Sequence, residues 1–414
     1  MKALTILIAI LLPQSLFAEP LRVSLFKWVP NQKAMEEVIQ KRWEKLHPDK
    51  PLEWVKWDCY DGNPPSNIEV FETDAIFLDH IVANNCASPI NLEDVVGLDD
   101  YMEFAIRGSM VDGVLYGVPR IACTPVLFYR TGDTEIEQAE SLDDLFAAIG
   151  YSDGKSEVLP KNEGLLVSLE GGTTDACLFL DAIADLSNKY STVPTLPRVD
   201  ELDEDALASV RMLAFMAGRK QALFENWDDD DGDEVPDGVG QRSRWFAEGR
   251  GRAQIGWTER LAHMPVEYHK NVSVRALPLE SHALSTDKTK APTQVNLFFV
   301  DTLCINPMLR GERRKLAMEF VTLATSPEVV AESFLVKVDR SRSPQYLLPV
   351  RKPVIGDKEF LAKAPLYEQL WKFYKNSPRT FRIGEDSRSW LEGAKDRIRE
   401  LVTDIPPYEK PETE

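Results

Sequence analysis

The strongest constraint on this chain is the succession of strand, helix and strands near its start. Leu21-Arg-Val-Ser-Leu-Phe26 alternates as a strand, and Pro30-Asn31 then opens a helix. That helix carries Met35, Val38, Ile39, Trp43 and Leu46 on one face and stops before Pro48. Leu52-Glu-Trp-Val-Lys-Trp57 reads as a second strand and Val70-Phe-Glu-Thr-Asp-Ala-Ile-Phe77 as a third. This spacing is a βαβ unit, which implies a parallel sheet with right-handed crossovers. In open sheets of this kind ligands bind just beyond the carboxyl ends of the strands. Phe26 and Trp28 lie beyond the first strand, Asp58 and Tyr60 beyond the second, and Asp74 within or near the end of the third. Two aromatics, a tyrosine and a carboxylate are thereby placed on one rim.

A second informative stretch is Tyr116-Gly-Val-Pro-Arg-Ile-Ala-Cys-Thr-Pro-Val-Leu-Phe-Tyr-Arg130. Gly117 and Pro119 predict a turn after Val114-Leu-Tyr116, since glycine tolerates positive φ and proline fixes its own. Val126-Leu-Phe-Tyr129 predicts a buried strand leaving it. Cys123 lies between them, and Pro125 holds the residue before it extended. Two readings of Cys123 stay open at this point: a half-buried structural cysteine, or a thiol held at the mouth of a cleft.

Farther on, Gly164-Leu-Leu-Val-Ser-Leu169 is strand-like and leads through Gly171-Gly172-Thr-Thr into a helix from Ala176 to Leu186. The glycine pair is either a tight turn or a place where backbone amides approach a ligand. Another helix runs from about Asp205 and ends near Gly218. In Trp245-Phe-Ala-Glu-Gly-Arg-Gly-Arg-Ala-Gln-Ile-Gly-Trp-Thr-Glu259 a helix ends at Gly249 and Ala253–Gly256 forms a strand, with Trp257 and Glu259 at its far end. Glu259 is either a solvated acid or, near a cleft, a general base tuned by burial. Asn296-Leu-Phe-Phe-Val300 predicts a strand ending at Asp301, followed by a helix from Arg313 to Ala324. Helices are also predicted from Leu366 to Tyr374 and from Trp390 to Val402, ahead of a proline-rich tail.

Met1-Lys2, the apolar run from Ala3 to Leu12 and the small residue Ala18 have the pattern of a secretory signal peptide, with cleavage after Ala18. The mature protein is accordingly expected in the periplasm or outside the cell. A formal charge of −19 argues against nucleic acid or an anionic membrane as a partner. The five cysteines are an odd number, so at least one thiol is left unpaired within a chain. Their spacings fit no zinc motif.

Taken together, Tyr116-Gly-Val-Pro119, Gly251-Arg-Ala-Gln-Ile-Gly256 and Thr325-Ser-Pro-Glu328 after a late helix resemble the two-lobed periplasmic solute-binding proteins. Within that α/β fold the chain resembles more closely the bacterial thiaminase I (thiamine pyridinylase) family. The resemblance is carried by Trp57-Asp-Cys-Tyr60 with Pro64-Pro65, Asp74-Ala-Ile-Phe-Leu78, Cys123-Thr124 before Leu127-Phe-Tyr-Arg130, and Gly171-Gly-Thr-Thr174. Trp245-Phe246, Gly256-Trp-Thr-Glu259 and Pro344-Gln-Tyr-Leu-Leu-Pro349 continue it in the same order along the mature chain.

The resemblance implies a thiamine-degrading transferase with its site in an interlobe cleft, without a cofactor, acting on thiamine and a small nucleophilic base or thiol. It implies Cys123 as nucleophile and Glu259 as the base that activates it. Asp74 and Asp301 would bind the aminopyrimidine, and Phe26, Trp28, Tyr60, Trp257 and Phe299 would wall the pocket. The chain departs from the family where tyrosines are usual, with Phe26, Trp257 and Phe299 in their place, and it lacks a tyrosine shortly before Trp245. Stacking survives such changes, whereas each lost hydroxyl removes a hydrogen bond of about 0.5–1.5 kcal/mol. A non-enzymatic carrier of thiamine or a related pyrimidine is the rival on the same fold. By analogy, residues 19–128 with 300–338 form the first lobe and 129–299 with 339–405 the second, ahead of a disordered tail at 406–414. The protein is expected to be a monomer.

One feature stands outside that resemblance. In Asp228-Asp-Asp-Asp-Gly-Asp-Glu-Val-Pro-Asp-Gly238, the acids Asp229, Asp231, Asp233 and Asp237 match the early positions of a calcium loop. Gly240 stands where the closing bidentate acid belongs, so a solvated acidic loop is expected. Calorimetric titration with calcium is expected to give neither heat nor a rise in Tm; either one would establish a site.

Overall fold

Two sheets share out the longer strands. The structure, a computed structural model, describes residues 19–187, 197–224, 237–280, 297–375, 379–380, 384 and 386–403. The stretch 1–18 expected to be a signal peptide, Asp229, Asp231, Asp233 and the tail at 406–414 lie outside the described residues. Asp237, expected among the early positions of the acidic loop, instead begins a helix. Among the described residues no group of acids, histidines or cysteines is arranged to hold a metal, and no helix is long and apolar enough to cross a membrane.

The N-terminal unit forms as its pattern predicts. Leu21–Ser24 (β1) leads to the helix Gln32–Leu46 (α1), then to Leu52–Trp54 (β2) and Val70–Asp74 (β3). β1 pairs in parallel with both β2 and β3. Asn31 caps α1 by accepting a hydrogen bond from the Ala34 amide. Met35, Ile39 and Trp43 are buried, with Trp43 edge-on to Phe320 at 5.7 Å. Leu46, at the last turn, is exposed. β3 is shorter than predicted because the Asp74 carboxylate accepts the Ile76 amide at 2.9 Å and turns the chain into a 3₁₀ segment, Ala75–Phe77.

Later elements are Gly117–Cys123 (β4), Pro125–Arg130 (β5), Lys161–Leu166 (β6), Thr173–Ser187 (α2), Glu204–Ala217 (α3) and Asp237–Ala247 (α4). Gly251–Trp257 (β7), Val272–Arg275 (β8), Leu297–Ile305 (β9), Gly311–Ala324 (α5) and Pro327–Phe334 (α6) follow. Leu348–Pro349 (β10), Arg379–Thr380 (β11) and Ser387–Thr403 (α7) complete the longer elements. The larger sheet runs β10-β4-β9-β3-β1-β2, with β11 also paired to β9; the smaller runs β8-β5-β7-β6.

Three expectations differ from the structure. The sheet carrying β1 is mixed, not wholly parallel, because β9 enters antiparallel between β3 and β4. β9 also continues past Asp301 to Ile305, which puts Asp301 in mid-strand. Gly117 and Pro119 lie inside β4, not in a turn. At Gly117 a Cβ would overlap the Thr302 hydroxyl on β9, so only glycine lets the two strands approach. Pro119 adjoins a bulge: Asp301 faces Ile121 and Thr302 faces Pro119, leaving Arg120 as the extra residue.

That extra residue has a partner. The buried guanidinium of Arg120 donates to Glu72 Oε1 at 2.7 Å and Oε2 at 2.6 Å, and Glu72 Oε2 also accepts the Phe26 amide at 3.0 Å. One buried carboxylate thus ties the bulge in β4 to the chain leaving β1. Arg120→Met is expected to leave Glu72 buried without its cation and to destabilise the fold by roughly 3–5 kcal/mol, measured by urea unfolding.

Candidate active site

β4 and β5 are almost one continuous run, broken only at Thr124, yet each belongs to a different sheet. The residues at the break therefore stand where the two sheets meet. Cys123 ends β4 opposite Phe299 of β9, and Pro125 begins β5 opposite Trp257 of β7. The Trp257 and Phe299 rings close this junction edge to face, with centroids 5.1 Å apart. The Trp257 indole N–H reaches Thr174 Oγ1 at 3.3 Å, at the start of α2. Of the glycine pair ahead of α2, the Gly171 amide donates to Asp175 at 2.9 Å, which makes that segment a self-capped turn.

Two residues farther along β9, Asp301 faces Asp74 across the β3–β9 ladder. Both are nearly fully buried. Tyr60 donates its hydroxyl to Asp74 Oδ2 at 3.3 Å, and its ring lies 6.5 Å from that of Phe26. Asp58 organises this wall. Its Oδ1 accepts the Tyr60 amide at 3.0 Å, and its Oδ2 accepts the Trp28 indole N–H at 3.1 Å and pairs with Lys27 at 2.9 Å. Phe26, Trp28, Tyr60, Asp74, Phe299, Asp301, Trp257 and Cys123 are thereby joined by ring contacts, hydrogen bonds or strand register. Glu259, in the 3₁₀ turn Thr258–His263 after β7, is buried and joins them through its charge.

The electrostatics follow from three acids sharing a desolvated space. Burial pushes Asp74 up to about 6, against the hydrogen bonds from the Ile76 amide and the Tyr60 hydroxyl. Burial, and then the charge of Asp74, carry Asp301 well above the ordinary carboxylate range, with Glu72 and Glu259 adding to the effect and Arg120 opposing it. Two carboxyls opposed on neighbouring strands cannot both ionise cheaply, so a proton is retained between them. Burial likewise raises Glu259, while Arg260, the next residue, pulls it down. Burial raises the Cys123 thiol well above its ordinary value; among charges Glu259 acts on it most, then Asp301 and Asp74. All five cysteines are free. Cys59, Cys177 and Cys304 are buried, and the Cys86 thiol is raised by burial alone. Of the five, Cys123 alone combines incomplete burial with neighbouring acids.

Sequence patterns put Asp58 on the rim and Thr174 in a motif, both without a role, and they pass over Arg120 and Arg260. A charged residue inside an otherwise apolar strand was the available signal for Arg120. Thr174 gave no sign of its partner, because the Trp257 indole is set beside it by the fold, and Arg260 gave none because its effect on Glu259 depends on both being buried.

The Thiaminase-1 domain profile matches residues 124–280. The chain is similar to the Thiaminase-1 of Paenibacillus thiaminolyticus, 32% identical over 388 residues, covering 93% of this chain and 89% of the relative. It superposes on thiaminase I of Clostridium botulinum in complex with thiamin with a TM-score of 0.82 and 32% identity, covering 92% of this chain and 99% of that one. A maltotriose-bound binding protein of Thermus thermophilus, 14% identical with a TM-score of 0.58 and 92% and 99% coverage, shares the fold alone. The architecture is the two-lobed α/β fold of periplasmic binding proteins.

The raised Asp74 fixes the sign of a pH effect. Its folded-state value lies above that of an unfolded aspartate, so the folded protein holds a proton longer, and stability falls as pH rises from about 4 to 6. Asp74→Asn is therefore expected to be more stable than the wild type above pH 6, by on the order of 2–3 kcal/mol, with the difference vanishing toward pH 4. Thermal unfolding across that range checks this.

Proposed function

The chain belongs to the thiaminase I family, and from that membership we propose that it is a thiamine-degrading transferase, displacing the thiazole by an external nucleophile through a covalent intermediate on Cys123. The observation that carries this is the placement of a partly buried cysteine at the meeting of the sheets, under the charge of buried Glu259 and beside the facing carboxyls Asp74 and Asp301. A passive carrier has no use for such a thiol. The apolar run and Ala18 at the N-terminus support export of the mature protein.

Each group has a task in the chemistry. Thiamine joins an aminopyrimidine through a methylene to a cationic thiazolium. Of the two opposed carboxyls, the ionised one accepts from the exocyclic amine and the protonated one donates to a ring nitrogen, which draws electrons from the ring. Glu259 takes the Cys123 proton, and the sulfur adds to C6 of the pyrimidine. The ring electrons then break the methylene–nitrogen bond, and the thiazole departs with that pair as a neutral molecule. The external base attacks the exposed methylene, pyridine leaving as a pyridinium cation and an amine such as aniline giving its extra proton to solvent; the ring regains aromaticity by expelling the thiolate, which recovers its proton from Glu259. Cysteine suits both halves as a strong nucleophile and a good leaving group.

The charge of the substrate completes the argument. An empty site rich in buried acids holds Cys123 as a thiol; an arriving cation offsets those acids and favours the thiolate. The rings of Trp257, Phe299, Tyr60, Phe26 and Trp28 suit a cation as well, on the order of 0.5–2 kcal/mol for each well-placed face.

Incubation of the purified protein with thiamine, with and without pyridine or aniline, is expected to give free thiazole and the pyrimidine adduct of the added base by mass spectrometry. Binding without turnover would instead identify a carrier. Cys123→Ser is expected to lower turnover at least about a thousandfold with nearly unchanged Tm; retained activity would remove Cys123 from the mechanism.

A further inference from the structure

The C-terminal helix α7 is assigned no part in the chemistry, yet it touches both walls of the site. At its first turn Arg388 reaches the segment after Asp58. Its Nη1 donates to the Tyr60 carbonyl at 2.9 Å, and its Nη2 donates to the carbonyls of Cys59 at 2.6 Å and Gly62 at 3.3 Å. The guanidinium also lies 4.7 Å over the Phe77 ring, which meets the Tyr60 ring edge-on at 5.1 Å. One planar cation therefore holds three carbonyls of the Tyr60 loop and backs the aromatic behind it.

The far end of the same helix holds the opposite wall. Arg399 Nη1 donates to the Glu170 carbonyl at 3.1 Å. The adjoining Gly171 has a φ of +95° and lies so close that a Cβ there would come within 2.9 Å of Arg399. That turn delivers Thr174, the acceptor of the Trp257 indole. α7 is fixed in between by Trp390, whose indole donates to the Pro197 carbonyl at 2.9 Å, and by Arg211, whose Nε donates to the Leu401 carbonyl at 2.8 Å. The two arginines are 11 residues apart, or about 16 Å along a helix rising 1.5 Å per residue.

We propose that Arg388 is a positioning residue for substrate binding, holding the Tyr60 wall to a helix whose other end holds the Trp257 wall, so that α7 sets the spacing of the cleft. The inference rests on the reading of this cleft as the thiamine site. Arg388 touches no reacting atom; it acts through the carbonyls of residues 59, 60 and 62, and through them on the Tyr60 hydroxyl that meets Asp74. A lysine keeps the charge but not the fork that spans these carbonyls.

Two measurements on the full chain test it. Without any ligand, hydrogen exchange at the amides of residues 59–62 is expected to quicken at least about tenfold in Arg388→Met and in Arg388→Lys, while β3 and β9 stay as protected as in the wild type. With saturating pyridine, both variants are expected to raise the thiamine KM about tenfold with kcat within about twofold, and to add little to the KM of Tyr60→Phe in the double variant. Unchanged exchange at 59–62, additive effects with Tyr60→Phe, or a loss of kcat at constant KM with a matching loss of Tm would overturn the proposal. Quickened exchange together with a wild type that does not turn over thiamine would uphold the brace and remove the thiamine reading instead.

Discussion

Two carboxyl groups face one another across β3 and β9, deep enough that water cannot relieve their repulsion. Much of the site is organised around that pair. β9 must enter antiparallel for Asp301 to meet Asp74. The bulge in β4 must spare one residue for Arg120 to neutralise Glu72 instead of leaving a further bare acid beside them. Buried acids in this number are tolerable when they keep a proton or receive a cation. The family's substrate class, a cationic heterocycle joined to an amine-bearing ring, answers both requirements at once.

The sheet junction supplies the geometry that this charge needs. Because β4 and β5 run on from each other into different sheets, a residue at their junction is anchored on both sides by ladders. Cys123 inherits that position without a flexible loop to hold it. Its neighbours across the ladders are aromatic, and its neighbours in charge are acidic, which is the combination expected of a nucleophile that waits for a cation.

How much of this was legible in the chain depended on whether the signal was local. The βαβ succession could be read because Met35, Ile39 and Trp43 repeat at helical spacing and Asn31 caps the helix through its own side chain. Phe26, Tyr60, Asp74, Trp257 and Asp301 could be placed because strand ends and motif order travel with the sequence. Gly117 and Pro119 were misread as a turn since their reason lies on another strand, in the Thr302 hydroxyl and the bulge at Arg120. The antiparallel entry of β9 was invisible for the same cause: strand direction is decided by where a distant segment returns. Arg388 carried no pattern at all, and Thr174 stood in a motif that gave no hint of its partner, since those partners are backbone carbonyls and an indole contributed from far along the chain.

The raised thiol at Cys123 has a consequence for the protein between encounters. Peroxides and disulfides react with the thiolate and leave the protonated sulfur largely alone. A cysteine kept protonated chiefly by burial, and then by the acids around it, is thus shielded from oxidative damage; on the reading of Cys123 as the nucleophile, an arriving cation is what would make it reactive. The same negative field that readies the cleft for its cation doubles as a chemical safety catch.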